Sequence, residues 1–303
     1  MSADQASVEL SDVEAALARL RGDDSHGSVR ATTLNLVVAC PDAEAAARTD
    51  EVLDALGGSR PLRAIVITPG SRRPKARVSS ACWTGAGHEV CAERIAISGE
   101  RVALPSAVVS LLVADLPVFV WWQGLLPDDG DGVLGELTEI ASRVIVDSDD
   151  TGLEAAARLE PRVAGLVDIA WVRTGPWREA IAAMFDGRAQ RRALDHLIGV
   201  EVVGPANQAA LLAGWLRSRL DRQVGVDARK TKRLNRVELH CGDDVFLVER
   251  AGRNHHGVAG GPGLADRTFP LPPEDLISLL AAELDRLGAE PTFEQALAAA
   301  HAA

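Results

Sequence analysis

The hydrophobic pattern of the chain is dominated by residues 104–124, where two short apolar segments are separated by Asp115 and Pro117. The first segment has the length and composition of a buried helix, and Pro105 suits the first turn of that helix. Pro117 ends the helix, because the residue before a proline avoids helical backbone angles. Residues 118–122 are β-prone and do not alternate between apolar and polar, which predicts a strand buried on both faces.

Strand-like and helix-like segments alternate on the N-terminal side of this stretch. Residues 30–39 and 62–68 have the pattern of strands, and a helix from residue 42 to 56 joins them, which predicts a right-handed parallel crossover. The turn after the first strand contains no glycine and ends in Asp42, where a phosphate would need backbone amides. We therefore predict that this unit binds no dinucleotide.

The C-terminal part of the chain continues the mixture of strands and helices. Residues 237–240 and 245–249 flank a Gly-Asp-Asp turn and predict a hairpin, whereas the Gly- and His-rich segment 252–262 is predicted to be a loop. We expect two α/β domains with mixed sheets flanked by helices. The boundary is expected in a short glycine-containing loop, which gives an N-terminal domain over residues 1–163 and a C-terminal domain over 164–303.

The charge and composition narrow the classes of partner. A formal charge of −11 argues against nucleic acid or an anionic membrane as a main partner, because phosphate groups would be repelled. No apolar run approaches the ~20 residues that a membrane-spanning helix needs. The first ten residues are polar and acidic and lack the pattern of a signal peptide, so a cytoplasmic location is expected.

Three acidic residues, Asp147, Asp149 and Asp150, follow a predicted strand, at the place where open α/β sheets bind ligands. Such a cluster could hold magnesium or supply a general base. The commoner use of aspartate at this position is a turn that caps the next helix, which we favour. The chain contains no Gly-x-Ser-x-Gly, His-Glu-x-x-His or Gly-Lys-Ser motif, so no catalytic residue is predicted.

Two groups of cysteines and histidines contain residue types that bind metals. Cys82, His88 and Cys91 lack the paired spacing of structural zinc sites. A three-residue hairpin loop would put the two cysteines on opposite faces, whereas a two-residue loop would make them direct partners. His240 and Cys241 are adjacent and would alternate across a strand, so both cannot face one ion. No metal site is predicted from these residues or from the nearby His255 and His256.

Two further clusters are candidates for binding a partner. The densest basic run is a solvated face or an anion or protein contact, and it comprises Arg229, Lys230, Lys232, Arg233 and Arg236. A second cluster combines tryptophan and arginine, the residue types enriched at interface hot spots, and it comprises Asp168, Trp171, Arg173, Trp177 and Arg178. In it, Asp168 could orient Arg173 through a charge-assisted hydrogen bond. The cluster serves equally well to fill a domain junction or to form a partner interface.

Five blocks of the chain resemble the OpcA family, the glucose-6-phosphate dehydrogenase assembly proteins. They are residues 30–38, 90–95, 116–122, 168–178 and 211–216, of which the Trp-Trp pair and the Asp-x-x-Trp-x-Arg-x-x-x-Trp-Arg block are the most specific. The resemblance implies a non-catalytic protein that binds glucose-6-phosphate dehydrogenase, favours its active oligomer and has no cofactor. It also makes Trp121 and Trp122 candidate partner-binding residues, together with the cluster at 168–178.

The resemblance leaves two points open. An alternative is a sugar-phosphate-binding enzyme that uses the Asp147 cluster. In photosynthetic relatives of the family, activation is tied to thioredoxin through a disulfide. Here Cys82 and Cys91 are the one close pair, and closing so short a loop would stabilise the fold by only ~2–3 kcal/mol. We therefore predict that activation does not depend on thiol oxidation.

Overall fold

The computed structural model describes residues 6–23, 32–57, 60–85, 88–127, 132–163, 165–220, 226–252 and 255–301, without the side chains of residues 6, 21–23, 81–91 and 226–230. The chain forms two compact units. The first unit comprises Met1–Val146, Arg162–Leu166 and Leu280–Ala289. The second comprises Asp147–Pro161, Val167–Leu279 and Glu290–Ala303.

The first unit is built on a mixed sheet flanked by helices. Its strands are β1 (Ala6–Val8), β2 (Leu34–Ala39), β3 (Leu62–Pro69), β4 (Lys75–Gly85), β5 (His88–Gly99), β6 (Val118–Trp122) and β7 (Arg143–Val146), and β8 (Leu166–Asp168) follows where the chain leaves the unit. Its helices are α1 (Val13–Asp23), α2 (Ala43–Gly57), α3 (Leu104–Leu111) and α4 (Gly132–Ile140). The spatial order of the sheet is β1-β4-β5-β3-β2-β6-β7-β8.

Strands β2, β3 and β6 form the parallel centre of this sheet. The pairing of β2 with β3 is parallel, which confirms the predicted crossover through α2. Asp42 begins that helix by accepting a hydrogen bond from the Ala45 amide at 2.8 Å. All five residues of β6 are buried, as the lack of alternation predicted.

The hairpin of β4 and β5 has the register that a two-residue loop requires. Gly85 is the partner of His88, and this register pairs Cys82 directly with Cys91. The side chains of both cysteines lie outside the described residues. The redox prediction therefore stays a prediction.

The second unit contains a six-stranded sheet in the order β10-β9-β11-β12-β13-β14. The elements within or beginning in this unit are α5 (Ser148–Thr151), α6 (Leu153–Leu159), α7 (Ile169–Arg173), α8 (Gly175–Met184), α9 (Arg188–Ala193), β9 (Leu197–Gly204), α10 (Ala206–Leu220), β10 (Val226–Lys230), β11 (Arg236–Cys241), β12 (Asp244–Arg250), β13 (His256–Gly260), β14 (Arg267–Pro270), α11 (Leu276–Glu283) and α12 (Pro291–His301). The two units together confirm the predicted mixed α/β class.

Burial alternates along β11, so this sheet has one face in the core and one more open face. Val237, Leu239 and Cys241 are buried, whereas Arg236 is exposed. Glu238 and His240 lie on the same side as Arg236 and are half-buried. Such alternation is typical of an antiparallel sheet that packs on a core with one face only.

The prediction of a loop over residues 252–262 was wrong, because β13 occupies its centre. The glycines that suggested a loop serve the packing of aromatic rings instead. A side chain at Gly257 would collide with the ring of Phe269, and one at Gly261 would collide with Phe246.

None of the helices in the described part of the chain has the combination of length and hydropathy that a membrane-spanning helix needs.

Candidate functional site

The tryptophan–arginine cluster at residues 168–178 is folded around Asp168, at the end of β8. The Asp168 side chain begins helix α7 by accepting a hydrogen bond from the Ala170 amide at 2.9 Å. The same oxygen, Oδ1, accepts a second hydrogen bond at 2.9 Å from the amide of Ser148, at the start of α5. Asp168 thus connects the first turns of helices α5 and α7 through hydrogen bonds.

Arg173 is paired with Asp147. The predicted hydrogen bond between Arg173 and Asp168 does not form. Its guanidinium holds the carboxylate of Asp147 in a two-pronged contact, with Nη2–Oδ2 at 2.7 Å and Nη1–Oδ1 at 2.9 Å. Asp149 Oδ2 lies 3.5 Å from Nη1. The prediction failed because Asp168 directs an oxygen at backbone amides, which leaves Asp147 as the acceptor for the guanidinium.

The complete burial of Asp168 has an electrostatic consequence. Removal from water raises the pKa of Asp168 from 3.8 to about 7, although the hydrogen bonds from Ser148 and Ala170 act in the opposite direction. Its second oxygen, Oδ2, has no hydrogen-bond partner in the described part of the chain. Burial also raises the pKa of Asp149 and Asp150, and nearby Asp147 adds to both shifts.

Trp171 is buried beneath charged and aromatic neighbours. The guanidinium carbon of Arg178 lies 3.3 Å from the centre of its ring, which is a stacked cation–π contact. The indole Nε1 donates a hydrogen bond to Glu290 Oε1 at 2.9 Å, and the ring of Phe293 lies 5.6 Å away. Arg178 is itself fixed by a 3.0 Å hydrogen bond from Nε to Thr174 Oγ1.

Trp177 occupies a second position in the same core. Its ring meets Phe269 edge-on, with 6.1 Å between the ring centres. The guanidinium of Arg250 lies 6.0 Å from the ring centre. Both tryptophans of the cluster are therefore packed inside the second unit, while Arg173 and Arg178 remain half-buried at its edge.

Helix α10 joins the cluster through two amide side chains that sequence reasoning missed. Asn207 Nδ2 donates to the carbonyl oxygen of Ser148, and Gln208 Nε2 donates to Asp149 Oδ2 at 2.9 Å. Adjacent Asn and Gln at a helix start were visible in the sequence as possible hydrogen-bond donors. Their acceptors lie 59 residues away along the chain, and no local pattern indicates that separation.

Among the acidic residues of the cluster, Asp147 caps helix α5, which confirms the capping role that we favoured for this turn. Asp147 Oδ1 accepts a hydrogen bond from the Asp149 amide at 3.2 Å, and both side chains also contact Arg173. These carboxylates are engaged by a cation and by backbone and side-chain donors. This arrangement favours a structural network over the metal or general-base chemistry of the enzyme alternative.

The remaining candidate residues lie elsewhere. Trp121 and Trp122, in β6 of the first unit, are only 4% and 6% exposed, so their burial leaves them little surface to offer a partner. Of the basic run, Lys232 and Arg233 are exposed, and Arg236 forms an ion pair with Glu238. The other two members, Arg229 and Lys230, end strand β10, and their side chains lie outside the described residues.

Comparisons with known proteins identify the family. The model of the glucose-6-phosphate dehydrogenase subunit N-terminal domain matches residues 53–162, and that of the C-terminal domain matches residues 164–297. The OxPP cycle protein OpcA of Nostoc punctiforme is 29% identical over 81% of this chain and 66% of its own length. Its namesake in Synechocystis is 28% identical over 56% of this chain and 39% of its own length, so the chain spans less than two thirds of these relatives.

The structure is also similar to that of biliverdin reductase from Synechocystis, solved with biliverdin and NADP⁺. The TM-score is 0.42 at 11% identity, over 89% of this chain and 97% of that one. A likeness at this level carries no conclusion about function. The two domain models together match most of the chain and confirm the resemblance, and the protein therefore belongs to the OpcA family, the glucose-6-phosphate dehydrogenase assembly proteins.

Proposed function

We propose that this protein is a non-catalytic partner of glucose-6-phosphate dehydrogenase in the oxidative pentose phosphate pathway. The observation that carries the proposal is the match of both halves of the chain to domains of a glucose-6-phosphate dehydrogenase subunit. The OxPP name of the relatives supports the same pathway. We also propose a cytoplasmic location, and we propose neither nucleic acid nor a membrane as a binding partner.

The proposed mechanism is selective binding of one state of the enzyme. A partner that binds the active oligomer more tightly than the other states shifts the population toward that oligomer and raises the measured activity. This mechanism requires no catalytic residue on the partner. It agrees with the engagement of Asp147 and Asp149 in internal ion pairs.

We propose that the enzyme contacts the edge of the cluster formed by α7 and α8. Arg173 and Arg178 are half-buried there, and buried tryptophans and ion pairs fix their positions. Arginines held in this way lose little conformational entropy on binding, which favours their use as interface anchors. The exposed Lys232 and Arg233 offer a second basic contact for an acidic surface.

Titration of purified dehydrogenase with this protein tests the proposal. We expect NADPH production to rise and saturate as the protein is added, and the enzyme's mass distribution to shift toward a larger oligomer in analytical ultracentrifugation. The protein alone should produce no NADPH. Activity of the protein alone, or unchanged enzyme activity and mass at saturating protein, would contradict the proposal.

The variant Arg178→Ala tests the proposed surface. Its matched control is Arg188→Ala, which removes an exposed arginine from α9. We expect the first variant to fold but to need at least about tenfold more protein for half-maximal activation, which corresponds to ~1.4 kcal/mol. Equal activation by both variants would place the interface elsewhere and leave the general proposal intact.

A further inference from the structure

The more open face of the six-stranded sheet holds a cluster that the tryptophan–arginine site does not use. His240 and Cys241 alternate as predicted, so the thiol of Cys241 faces the core and the imidazole lies on the other face. The structure therefore rules out the His-Cys pair as ligands of one ion. It places two carboxylates beside His240 instead.

These carboxylates belong to Glu201 of β9 and Glu238 of β11, which are direct partners in the antiparallel register. His240 follows two residues after Glu238 and so lies on the same face. One potential ligand atom from each of the three residues lies within 4.8 Å of the other two. His240 Nε2 lies 3.4 Å from Glu238 Oε2.

The strand geometry around His240 favours its role as a ligand. Its register partner on β9 is Gly199, which puts no side chain opposite the imidazole. The register shifts between His240 and Cys241, and an irregularity of this kind re-aims neighbouring side chains. On the other side, β12 places Val245 and Leu247 opposite His240 and Glu238, so this strand brings no charged residue to these two register positions. The register partner of Glu201 on β10 is Asp227.

Arg236 is the charged group that contacts this cluster most closely among the described side chains. It forms an ion pair with Glu238 through Oε1, whereas the oxygen nearer to His240 is Oε2. The guanidinium can therefore hold the carboxylate in place while Oε2 binds an ion. Hydrogen bonds of this kind to a ligating carboxylate are common around metal sites.

We propose that Glu201, Glu238 and His240 form a binding site for a divalent transition metal, for which Zn²⁺ is the best match. One imidazole nitrogen and two carboxylate oxygens are a donor set that zinc accepts, and three protein ligands leave a fourth position for water. Magnesium fits less well because it prefers six oxygen ligands in octahedral array. The site would join β9 to β11, and the proposal is independent of the proposed function.

Isothermal titration of the metal-free protein with Zn²⁺ tests this proposal. We expect one saturable equivalent of zinc per chain and no comparable binding of Mg²⁺. The variants His240→Ala and Glu201→Gln should each weaken this binding by at least about tenfold. The control His255→Ala, which removes an exposed imidazole outside the cluster, should bind zinc like the wild type.

Thermal unfolding provides a second readout that does not depend on the heat of binding. At a hundredfold excess of zinc over its dissociation constant, we expect the wild type and His255→Ala to unfold roughly 3–6 °C higher. His240→Ala should fold but show no such rise. No zinc binding by the wild type, or zinc binding that survives unchanged in both His240→Ala and Glu201→Gln, overturns the proposal.

Discussion

The two tryptophan pairs of this protein have the same residue type and different surroundings. Trp121 and Trp122 lie in a strand of the first unit that is buried along its whole length. Trp171 and Trp177, in the second unit, are equally buried but meet the guanidinium groups of Arg178 and Arg250 and the carboxylate of Glu290. The first pair lies among mostly apolar residues, and Trp122 Nε1 donates a hydrogen bond to the backbone carbonyl of Leu125. The second pair instead contacts charged side chains.

This difference shows that residue type alone does not identify an interface. Tryptophan is enriched both in cores and at hot spots, because both environments reward a large apolar area. The two pairs differ because the rings of the second pair contact half-buried arginines, Arg178 and Arg250, and hold them in place. We therefore expect changes to the first pair to alter stability, and changes around the second pair to alter partner binding as well.

The largest expected effect comes from Trp121→Ala in the first unit. Removing a fully packed ring leaves a cavity, and the free energy of unfolding should fall by about 3–5 kcal/mol. Urea unfolding measured by circular dichroism gives this value. Folded protein should still activate the dehydrogenase, and a loss of stability below ~1 kcal/mol would show that the strand is not packed as described.

The next effect is a pH dependence centred on Asp168. Because burial raises its pKa from 3.8 to about 7, the native state retains a proton that the unfolded chain releases in this window. The stability due to this group is therefore fully present below pH 3.8 and is lost as pH rises through 7. Between pH 5 and pH 8 the loss should be about 2–3 kcal/mol.

The variant Asp168→Asn isolates this contribution, since Asn keeps an acceptor oxygen for the helix amides. Urea unfolding at pH 5 and pH 8 should show a smaller fall in stability for the variant than for the wild type. Identical pH dependence in the two proteins would exclude Asp168 as the titrating group.

An effect of similar size is expected from Arg173→Ala. This change leaves the carboxylates of Asp147 and Asp149 without their cation and should lower the free energy of unfolding by about 2–3 kcal/mol. Arg48→Ala is the matched control, because Arg48 forms an exposed pair with Glu44 within one helix and should cost under about 0.5 kcal/mol. Equal melting temperatures for the two variants would contradict the difference.

Arg178→Ala should have a smaller effect on stability and a larger one on function. Loss of its contact with the Trp171 ring should cost about 1 kcal/mol in a denaturant titration. If the second pair supports an interface, activation of the dehydrogenase should fall more than this small loss explains. A variant with normal activation would reduce the second pair to a packing role like that of the first.

The smallest expected effect concerns the cysteines of β4 and β5. We predict equal activation of the dehydrogenase after dithiothreitol and after a mild oxidant, with Cys82→Ser and Cys91→Ser as controls. The register makes these residues direct partners. A several-fold difference that either serine variant removes would establish redox control through this pair.

Local sequence patterns were enough to predict those elements whose environment is the same along their whole length. The strand ending in Trp122 was predictable because burial on both faces leaves no polar residue in it. The crossover through α2 was predictable from two apolar runs and the cap at Asp42. In each case the physical cause lies within a few residues of the element itself.

The polar network of the second unit could not be predicted in this way. The acceptor for the Trp171 indole, Glu290, is 119 residues away, and the partner of Arg173 is 26 residues away. Long-range pairs of this kind depend on which helix ends meet in the fold. The loop predicted at 252–262 failed for a related reason, because its glycines make room for distant aromatic rings.

The central claim is that this protein binds glucose-6-phosphate dehydrogenase, and a direct binding measurement tests it best. The dehydrogenase is immobilised, and wild-type protein, Trp121→Ala and Arg178→Ala are passed over it with each variant shown to be folded. We predict saturable binding of the wild type, unchanged affinity for Trp121→Ala and an affinity at least about tenfold lower for Arg178→Ala. The absence of wild-type binding at any concentration up to the solubility limit would contradict the account.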